Sequence, residues 1–178
     1  KVDQKDSSIK DPNKFVGKSF TKEKAKSLSK KYNWSIKKQE ENKWRRVVPS
    51  PSPLYIFNGK SIKHLVDFGT IVIAGGGGGI PSYNTSKGSL RGLDGVIDKD
   101  KTTALIGRII RAQEYFIITD VDNIFLNYNK PNQVELTKIT TTEVKKYLDA
   151  GHFGIGSMEP KIKSALYFLA ASTGLSER

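Results

Sequence analysis

The chain has 178 residues, 37% of them hydrophobic, and a formal net charge of +12. This length predicts one domain, or one domain with a small appendage. The absence of cysteine excludes disulfides and thiolate catalysis, and no apolar run reaches the roughly 18 residues that a membrane span needs. The polar start shows no signal peptide and lacks Met, so we expect a cytoplasmic location and a longer gene product.

The positive charge is concentrated at the start of the chain. Residues 1–46 contain 15 Lys/Arg and 6 Asp/Glu, whereas residues 47–178 contain 15 and 12. Such an excess fits a nucleic-acid partner, an anionic small substrate, or a solvated lysine-rich surface. No nucleic-acid-binding motif accompanies it, so we expect no specific nucleic-acid partner.

In chain order, the first predicted elements have narrow apolar faces. Thr21 is positioned to cap a helix that ends near Tyr32, and alternating residues from Trp34 to Val48 predict a two-stranded ribbon. These elements bury little, so residues 1–48 are predicted to form a protruding appendage. The proline-rich joint at 49–53 then leads into residues 49–178, where the pattern changes.

Helices and apolar strands alternate in the second part. Helices are predicted at 58–68, 102–113, 140–150 and 160–172, and continuous apolar strands at 71–74 and 115–119. The pattern predicts an α/β fold with a mainly parallel sheet sandwiched by helices. Ligands of such folds bind beyond the carboxyl ends of the strands.

Five consecutive glycines, residues 75–79, follow the first apolar strand directly. Their N–H groups can converge into a concave anion site, which suits phosphate oxygens. The alternative is a flexible linker, but a linker rarely begins at an apolar strand and ends in Ile-Pro.

Three further clusters have the residue types of a phosphoryl-transfer site. Asp98, Lys99 and Asp100 place two carboxylates around one ammonium before a helix, which also fits a simple charged turn. Asp120 begins a turn that starts like a calcium-binding loop but does not continue as one, so a turn lining a nucleotide pocket is favoured. Lys161 lies in the first turn of the last helix, a poor match to the helix dipole unless an anion binds there.

Six linked motifs, in order and spacing, resemble carbamate kinase, a member of the amino acid kinase fold family. They are Trp44-Arg-Arg-Val-Val-Pro-Ser-Pro51, the glycine run through Pro81, Gly95-Val-Ile-Asp-Lys-Asp100, Thr119-Asp-Val-Asp122, Asn127-Tyr-Asn-Lys-Pro131 and Ala150-Gly-His-Phe-Gly-Ile-Gly-Ser-Met-Glu-Pro-Lys161. The family's early Gly-Gly-Asn-Ala loop and its closing strand and helix have no match here. The resemblance therefore predicts the central and C-terminal portion of such an enzyme, and it implies that residues 1–48 form a protruding substrate lid and residues 49–178 the nucleotide-binding domain.

The resemblance implies reversible phosphoryl transfer between ADP plus carbamoyl phosphate and ATP plus carbamate. It implies Mg carried with the nucleotide, a homodimer, and the ATP-yielding step of arginine fermentation. A non-catalytic nucleotide-binding fragment, or a subunit partner of such a kinase, is the alternative.

The resemblance also implies site residues. Lys14 would reach the carbamoyl phosphate, Lys99 and Lys161 would neutralise the transferred phosphoryl group, and Asp98 and Asp100 would orient lysine and bound metal. The residues implied to contact the phosphates or line the nucleotide pocket are Gly76, Gly77, Gly78, Asp120, Tyr128, Lys130 and Met158. Catalysis would then rest on positioning and charge neutralisation.

Overall fold

The computed structural model describes residues 1–154 and 157–172, in two compact units. The first unit contains Lys1–Phe57 and Ile73–Thr102, and the second contains Asn58–Val72 and the chain from Thr103 onward. The predicted lid, residues 1–48, lies within the first unit, and its role as a lid stays a prediction.

A three-stranded antiparallel sheet forms much of the first unit. Strands β1 (Lys14–Phe20), β2 (Ile36–Glu40) and β3 (Lys43–Val48) have the order β1-β3-β2. The ribbon predicted from alternation is β2 with β3, whereas β1 was not predicted. Two helices accompany the sheet, α1 (Ser7–Lys10) and α2 (Lys22–Tyr32). The Thr21 side chain accepts the Lys24 N–H and caps α2, as predicted.

Two further elements of the first unit lie after the glycine run. A short hairpin joins β4 (Ser82–Asn84) to β5 (Leu90–Gly92), and Val96 N–H donates to the carbonyl oxygen of Pro49 at 2.9 Å. Helix α4 (Lys99–Ile110) begins here, three residues earlier than predicted, and continues into the second unit.

The second unit packs helices around a small core. Its remaining elements are α3 (Gly59–Asp67), β6 (Ile124–Leu126), β7 (Val134–Leu136), α5 (Thr141–Asp149) and α6 (Met158–Ser172). Val144, Phe153 and Ile162 are buried together at its centre. The predicted capping box is present: the Thr140 hydroxyl accepts Glu143 N–H and the Glu143 carboxylate accepts Thr140 N–H. Helix α6 begins two residues before Pro160, and the predicted loop residues Ile155 and Gly156 lie outside the described residues.

The helices and strands fit the predicted α/β class, but the two apolar segments differ from the prediction in pairing. In the described residues, 71–74 and 115–119 form no ladder, and every sheet is antiparallel. Ile73 is fully exposed and Ile118 is 92% exposed, while Tyr115 packs on Phe168. The reason is that a strand needs a neighbouring strand, which sequence composition alone does not supply.

No helix among the described residues is both long and apolar enough to cross a membrane.

Candidate functional site

The start of α4 in the first unit is organised by Asp98. One carboxylate oxygen of Asp98 accepts the Asp100 N–H at 2.9 Å, and its backbone carbonyl accepts the Thr102 N–H at 3.1 Å. Asp98 therefore occupies the N-cap position, where a carboxylate satisfies a free helix donor and matches the helix dipole. Lys99 and Asp100 are the first two residues of the helix. The three predicted residues thus share one helix start.

An ion pair joins this helix start to the sheet. The Nζ of Lys14, the first residue of β1, lies 2.5 Å from the second carboxylate oxygen of Asp98. The Asp98 side chain is only 10% exposed, and that of Lys14 is 37% exposed. Burial disfavours the charged carboxylate, but the hydrogen bond and charge of Lys14, with the N–H groups of Asp100 and Lys101, outweigh it and lower the pKa of Asp98. The carboxylate is therefore held ionised, and it orients the lysine.

The glycine loop packs against the same helix start. Gly78 is buried with φ of +126°, and a Cβ added there would lie 2.0 Å from the carbonyl oxygen of Ile97. Only glycine fits this close approach of two backbones. The hydroxyl of Thr102 donates to the Gly78 carbonyl oxygen at 2.7 Å in a buried hydrogen bond. Gly76 and Gly77, by contrast, face open space. The run is therefore an anchored loop and not a free linker.

A second set of contacts fixes the first turn of α4. The Nζ of Lys101 donates to the Ser52 hydroxyl at 2.9 Å, and Ser52 N–H donates to the Asp6 carboxylate at 3.0 Å. Sequence reasoning missed this chain of contacts because its three members are far apart in sequence and none belongs to a motif. It ties the proline-rich joint to the helix that begins with Lys99.

A cavity of about 630 Å³ lies within the second unit. All its lining residues lie between Thr119, the last residue of the second apolar run, and Lys161, which lies in the first turn of α6. The lining residues are Thr119, Asp120, Val121, Phe125, Asn127, Tyr128, Lys130, Ala150, Gly151, His152, Phe153, Gly154, Ser157, Met158 and Lys161. The volume lies in the range of small-molecule and cofactor sites.

The cavity walls combine an apolar part and a cationic part. The rings of Phe125 and Tyr128 lie 5.7 Å apart, and Met158 packs against the unit's buried core. Two lysines, Lys130 and Lys161, contribute ammonium groups. Aromatic and thioether side chains suit a planar base, and cations suit phosphates. The composition of the cavity walls therefore fits a ligand that carries both a planar base and phosphate groups.

The hairpin β6–β7 supplies one wall through an unusual backbone. Asn127 and Asn129 adopt the left-handed region, with φ of 51° and 59°. Asparagine tolerates this region better than other non-glycine residues. Lys130 N–H donates to the Asn127 carbonyl at 2.9 Å, and Asn129 N–H donates to the Gln133 side chain at 2.8 Å. These bonds fix the tight turn that presents Tyr128 and Lys130 to the cavity.

The structure brings the predicted residues together in two groups. Lys14, Asp98, Lys99, Asp100 and the glycine loop lie in the first unit, while Asp120, Tyr128, Lys130, Met158 and Lys161 line the cavity of the second. Lys161, which the resemblance assigns to catalysis, lines this cavity. Thr102 and Phe125 were not predicted, because they carry no motif signal of their own.

No group of three or more His, Cys, Asp or Glu side chains that could hold a metal ion is found in residues 1–154 and 157–172. The carboxylate of Asp98 is already engaged by Lys14 and by backbone N–H groups.

Comparison with known proteins places the chain in a family. Residues 16–174 match the amino acid kinase family, and the chain belongs to it. It is similar to carbamate kinase 3 of Staphylococcus aureus (strain USA300), with 41% identity over 94% of this chain and 54% of that protein. It is also similar to the carbamate kinase of Thermoplasma acidophilum, with 39% identity over the same shares.

A solved structure agrees with these relatives. The carbamate kinase from Giardia lamblia bound to AMP-PNP superposes with a TM-score of 0.82 and 38% identity, over 96% of this chain and 54% of that one. The resemblance and the fold family expected from the motifs are thereby confirmed. The chain spans about half the length of the relatives that it matches.

Proposed function

We propose that this chain belongs to an enzyme that transfers a phosphoryl group reversibly between ADP plus carbamoyl phosphate and ATP plus carbamate. The relatives that support the proposal are named carbamate kinases, and one solved relative holds AMP-PNP. The observation that carries it is the cavity, which collects Asp120, Tyr128, Lys130, Met158 and Lys161 from three motifs around one space. In this proposal that space takes the nucleotide.

The nucleotide would use the two parts of the cavity differently. Its base would contact the aromatic and thioether wall, Phe125, Tyr128 and Met158, and its phosphates would be attracted by Lys130 and Lys161. Magnesium would arrive on the nucleotide phosphates, because this ion usually binds through one or two carboxylates together with substrate phosphates.

The chemical step would rest on charge neutralisation. In this assignment Lys14 attracts the carbamoyl phosphate, and Lys99 and Lys161 offset the charge of the phosphoryl group as it moves. Asp98 keeps the Lys14 ammonium in one place through the 2.5 Å ion pair. Asp100 would assist at the same helix start. The Gly76–Gly78 loop would lie near the phosphates, and the N–H groups of Gly76 and Gly77 would hold phosphate oxygens, because the Gly78 N–H already donates to the Gly75 carbonyl at 2.8 Å. No covalent enzyme intermediate is required.

The family resemblance supports three further parts of the proposal. The enzyme would be a homodimer, would act in the cytoplasm, and would supply ATP in arginine fermentation. No specific nucleic acid would be a partner, because no nucleic-acid-binding motif accompanies the basic residues.

The test is ATP formation from ADP and carbamoyl phosphate, followed by luciferase luminescence. We expect Lys161→Ala to lower kcat by 100-fold or more, because a cation at the transferring group is removed. Lys163→Ala is the matched control: it lies on the same helix but pairs with Glu159 at 2.5 Å and does not line the cavity. Equal activity of both variants and the wild type would refute the assignment.

A second candidate function is nucleotide binding without turnover. It is favoured by the position of the cavity, whose lining residues all lie between 119 and 161 and thus in one unit. Calorimetric titration of ADP distinguishes the two: binding that Tyr128→Ala weakens, with no luminescence from the wild type, supports binding alone.

A further inference from the structure

A buried threonine outside every recognised motif contacts the glycine loop. Thr102 is 5% exposed, and its hydroxyl donates to the Gly78 carbonyl oxygen at 2.7 Å. A buried carbonyl without a hydrogen-bond donor is unfavourable, so this hydrogen bond stabilises one orientation of the peptide. The other side of the same glycine is closed by Ile97, whose carbonyl oxygen would lie 2.0 Å from an added Cβ. The loop is therefore held by a hydroxyl and by close backbone packing.

The orientation of this carbonyl determines the direction of the next N–H. In a planar trans peptide the C=O and the following N–H point in opposite directions. Because the Gly78 carbonyl points to Thr102, the Gly79 N–H points away from the helix. Gly79 is exposed, with φ of +90°, and a Cβ there would meet nothing within 4 Å.

Neighbouring donors lie on the same open stretch. Gly76 and Gly77 are exposed as well, and Gly78 N–H closes a turn on the Gly75 carbonyl at 2.8 Å. Among the described residues, the N–H groups of Gly76, Gly77 and Gly79 donate to no protein acceptor. Successive free N–H groups in such a loop form an anion-binding concavity.

We propose that Thr102 is a positioning residue: its hydroxyl locks the Gly78–Gly79 peptide so that the Gly79 N–H faces the phosphate to be transferred. The proposal rests on the proposed function, and it adds a residue that acts through the loop without contact with substrate. Loss of the hydroxyl leaves the peptide free to rotate, and the fixed donor is lost although the glycines are unchanged.

The first test compares Thr102→Val, which keeps shape but removes the hydroxyl, with Thr102→Ser, which keeps the hydroxyl. We expect Thr102→Val to raise KM for carbamoyl phosphate about tenfold, a cost of about 1.4 kcal/mol, and to leave KM for ADP within twofold. Thr102→Ser should restore KM to within twofold of wild type. Thr142→Val is the control, since Thr142 is an exposed helical threonine on α5 in the second unit, and it should behave as wild type.

These kinetic constants separate positioning from simple destabilisation. A variant that only lowers the folded fraction reduces kcat without changing KM, whereas a misoriented donor changes KM for the phosphate substrate alone. Unchanged KM for carbamoyl phosphate in Thr102→Val overturns the proposal. If Thr102→Val does not fold, Thr102→Ala against Thr102→Ser supplies the same comparison.

A second measurement does not depend on turnover. Inorganic phosphate is titrated onto ¹⁵N-labelled chain while the amide resonances of residues 75–79 are followed. We expect phosphate to shift the Gly79 amide in the wild type and in Thr102→Ser, with about tenfold weaker binding in Thr102→Val. Equal binding by all three proteins overturns the inference. A wild type that binds phosphate in this way but makes no ATP refutes the proposed function alone.

Discussion

The ion pair between Lys14 and Asp98 should make a measurable contribution to folding stability. Asp98→Asn removes the charge but keeps an oxygen that can cap α4, because Asn and Asp are equally good N-caps. Lys14→Met removes the ammonium but keeps most of the apolar stem. The double-mutant cycle of these two changes therefore isolates the charge interaction.

The magnitude follows from the exposure of the two side chains. Exposed pairs contribute about 0–1 kcal/mol, and hydrogen bonds to charged groups contribute about 1.5–3 kcal/mol. Asp98 is 10% exposed but Lys14 is 37% exposed, so solvent screening reduces the upper value. We expect a coupling free energy of about 1 kcal/mol at pH 7. Urea unfolding of the four proteins measures it.

The pH dependence of this coupling has a definite sign. The pKa of Asp98 is lower in the folded protein than the usual value, because Lys14 and the backbone N–H groups outweigh burial. The stabilisation is thus complete above the unfolded pKa of about 4 and is lost as the pH falls through the folded pKa. The coupling should therefore be the same at pH 7 and pH 5.5 and should decline below about pH 4.

An exposed pair provides the matched control. Lys37 and Asp11 lie 2.6 Å apart, but their side chains are 41% and 79% exposed. We expect their coupling to be under about 0.5 kcal/mol, because exposure and not distance sets the value. Equal coupling for the two pairs, or a Lys14–Asp98 coupling within about 0.3 kcal/mol of zero, would refute the reasoning.

Three further predictions concern local structure and are checked by urea unfolding. Gly78→Ala should cost about 3 kcal/mol of stability or prevent folding, because the added Cβ would clash with a carbonyl oxygen 2.0 Å away and the φ of this residue is positive. Gly77→Ala, in open space, should change stability by under about 0.5 kcal/mol. Equal costs for the two substitutions would contradict the close packing at Gly78. Thr140→Ala should cost about 1 kcal/mol of stability through loss of the capping box. Thr141→Ala, one residue later and exposed, should cost clearly less. A larger cost for Thr141→Ala than for Thr140→Ala would exclude capping as the cause. Ile118→Lys should leave stability within about 0.5 kcal/mol of the wild type, because the side chain is 92% exposed. The same substitution should reduce binding of an apolar fluorescent dye. A large loss of stability would mean that Ile118 is buried.

Local signals in the sequence predicted local structure well. The caps at Thr21 and Thr140 depend on residues within three positions, so the composition of each turn is sufficient to find them. Strand β1 was missed because Lys14–Phe20 has little apolar alternation and forms only by pairing with β3. The segment 115–119 has the composition of a buried strand, yet its pairing depends on a neighbour that composition cannot specify.

In the candidate site, too, features set by neighbouring residues were predictable and contacts between distant residues were not. Asp120, Tyr128 and Lys130, which the motifs assign to one nucleotide pocket, all line one cavity, and they lie within a short stretch of chain. Lys14 and Asp98 are 84 positions apart in the sequence. The local pattern of residues around Lys14 does not indicate which carboxylate this lysine contacts. Thr102 carries no motif signal, since a threonine inside a helix has many equivalent roles.

The order of the two units along the chain has a consequence for folding during synthesis. The first unit is interrupted by Asn58–Val72, which belongs to the second, and resumes with Ile73–Thr102. Its three-stranded sheet, which ends at Val48, can form early. The ion pair between Lys14 and Asp98, by contrast, can form only after Asp98 has left the ribosome. At about 5–20 residues per second, the separation of 84 residues delays that contact by roughly 4–17 seconds. Chaperones would therefore meet a nascent chain whose sheet is formed and whose glycine loop has no helix to pack against.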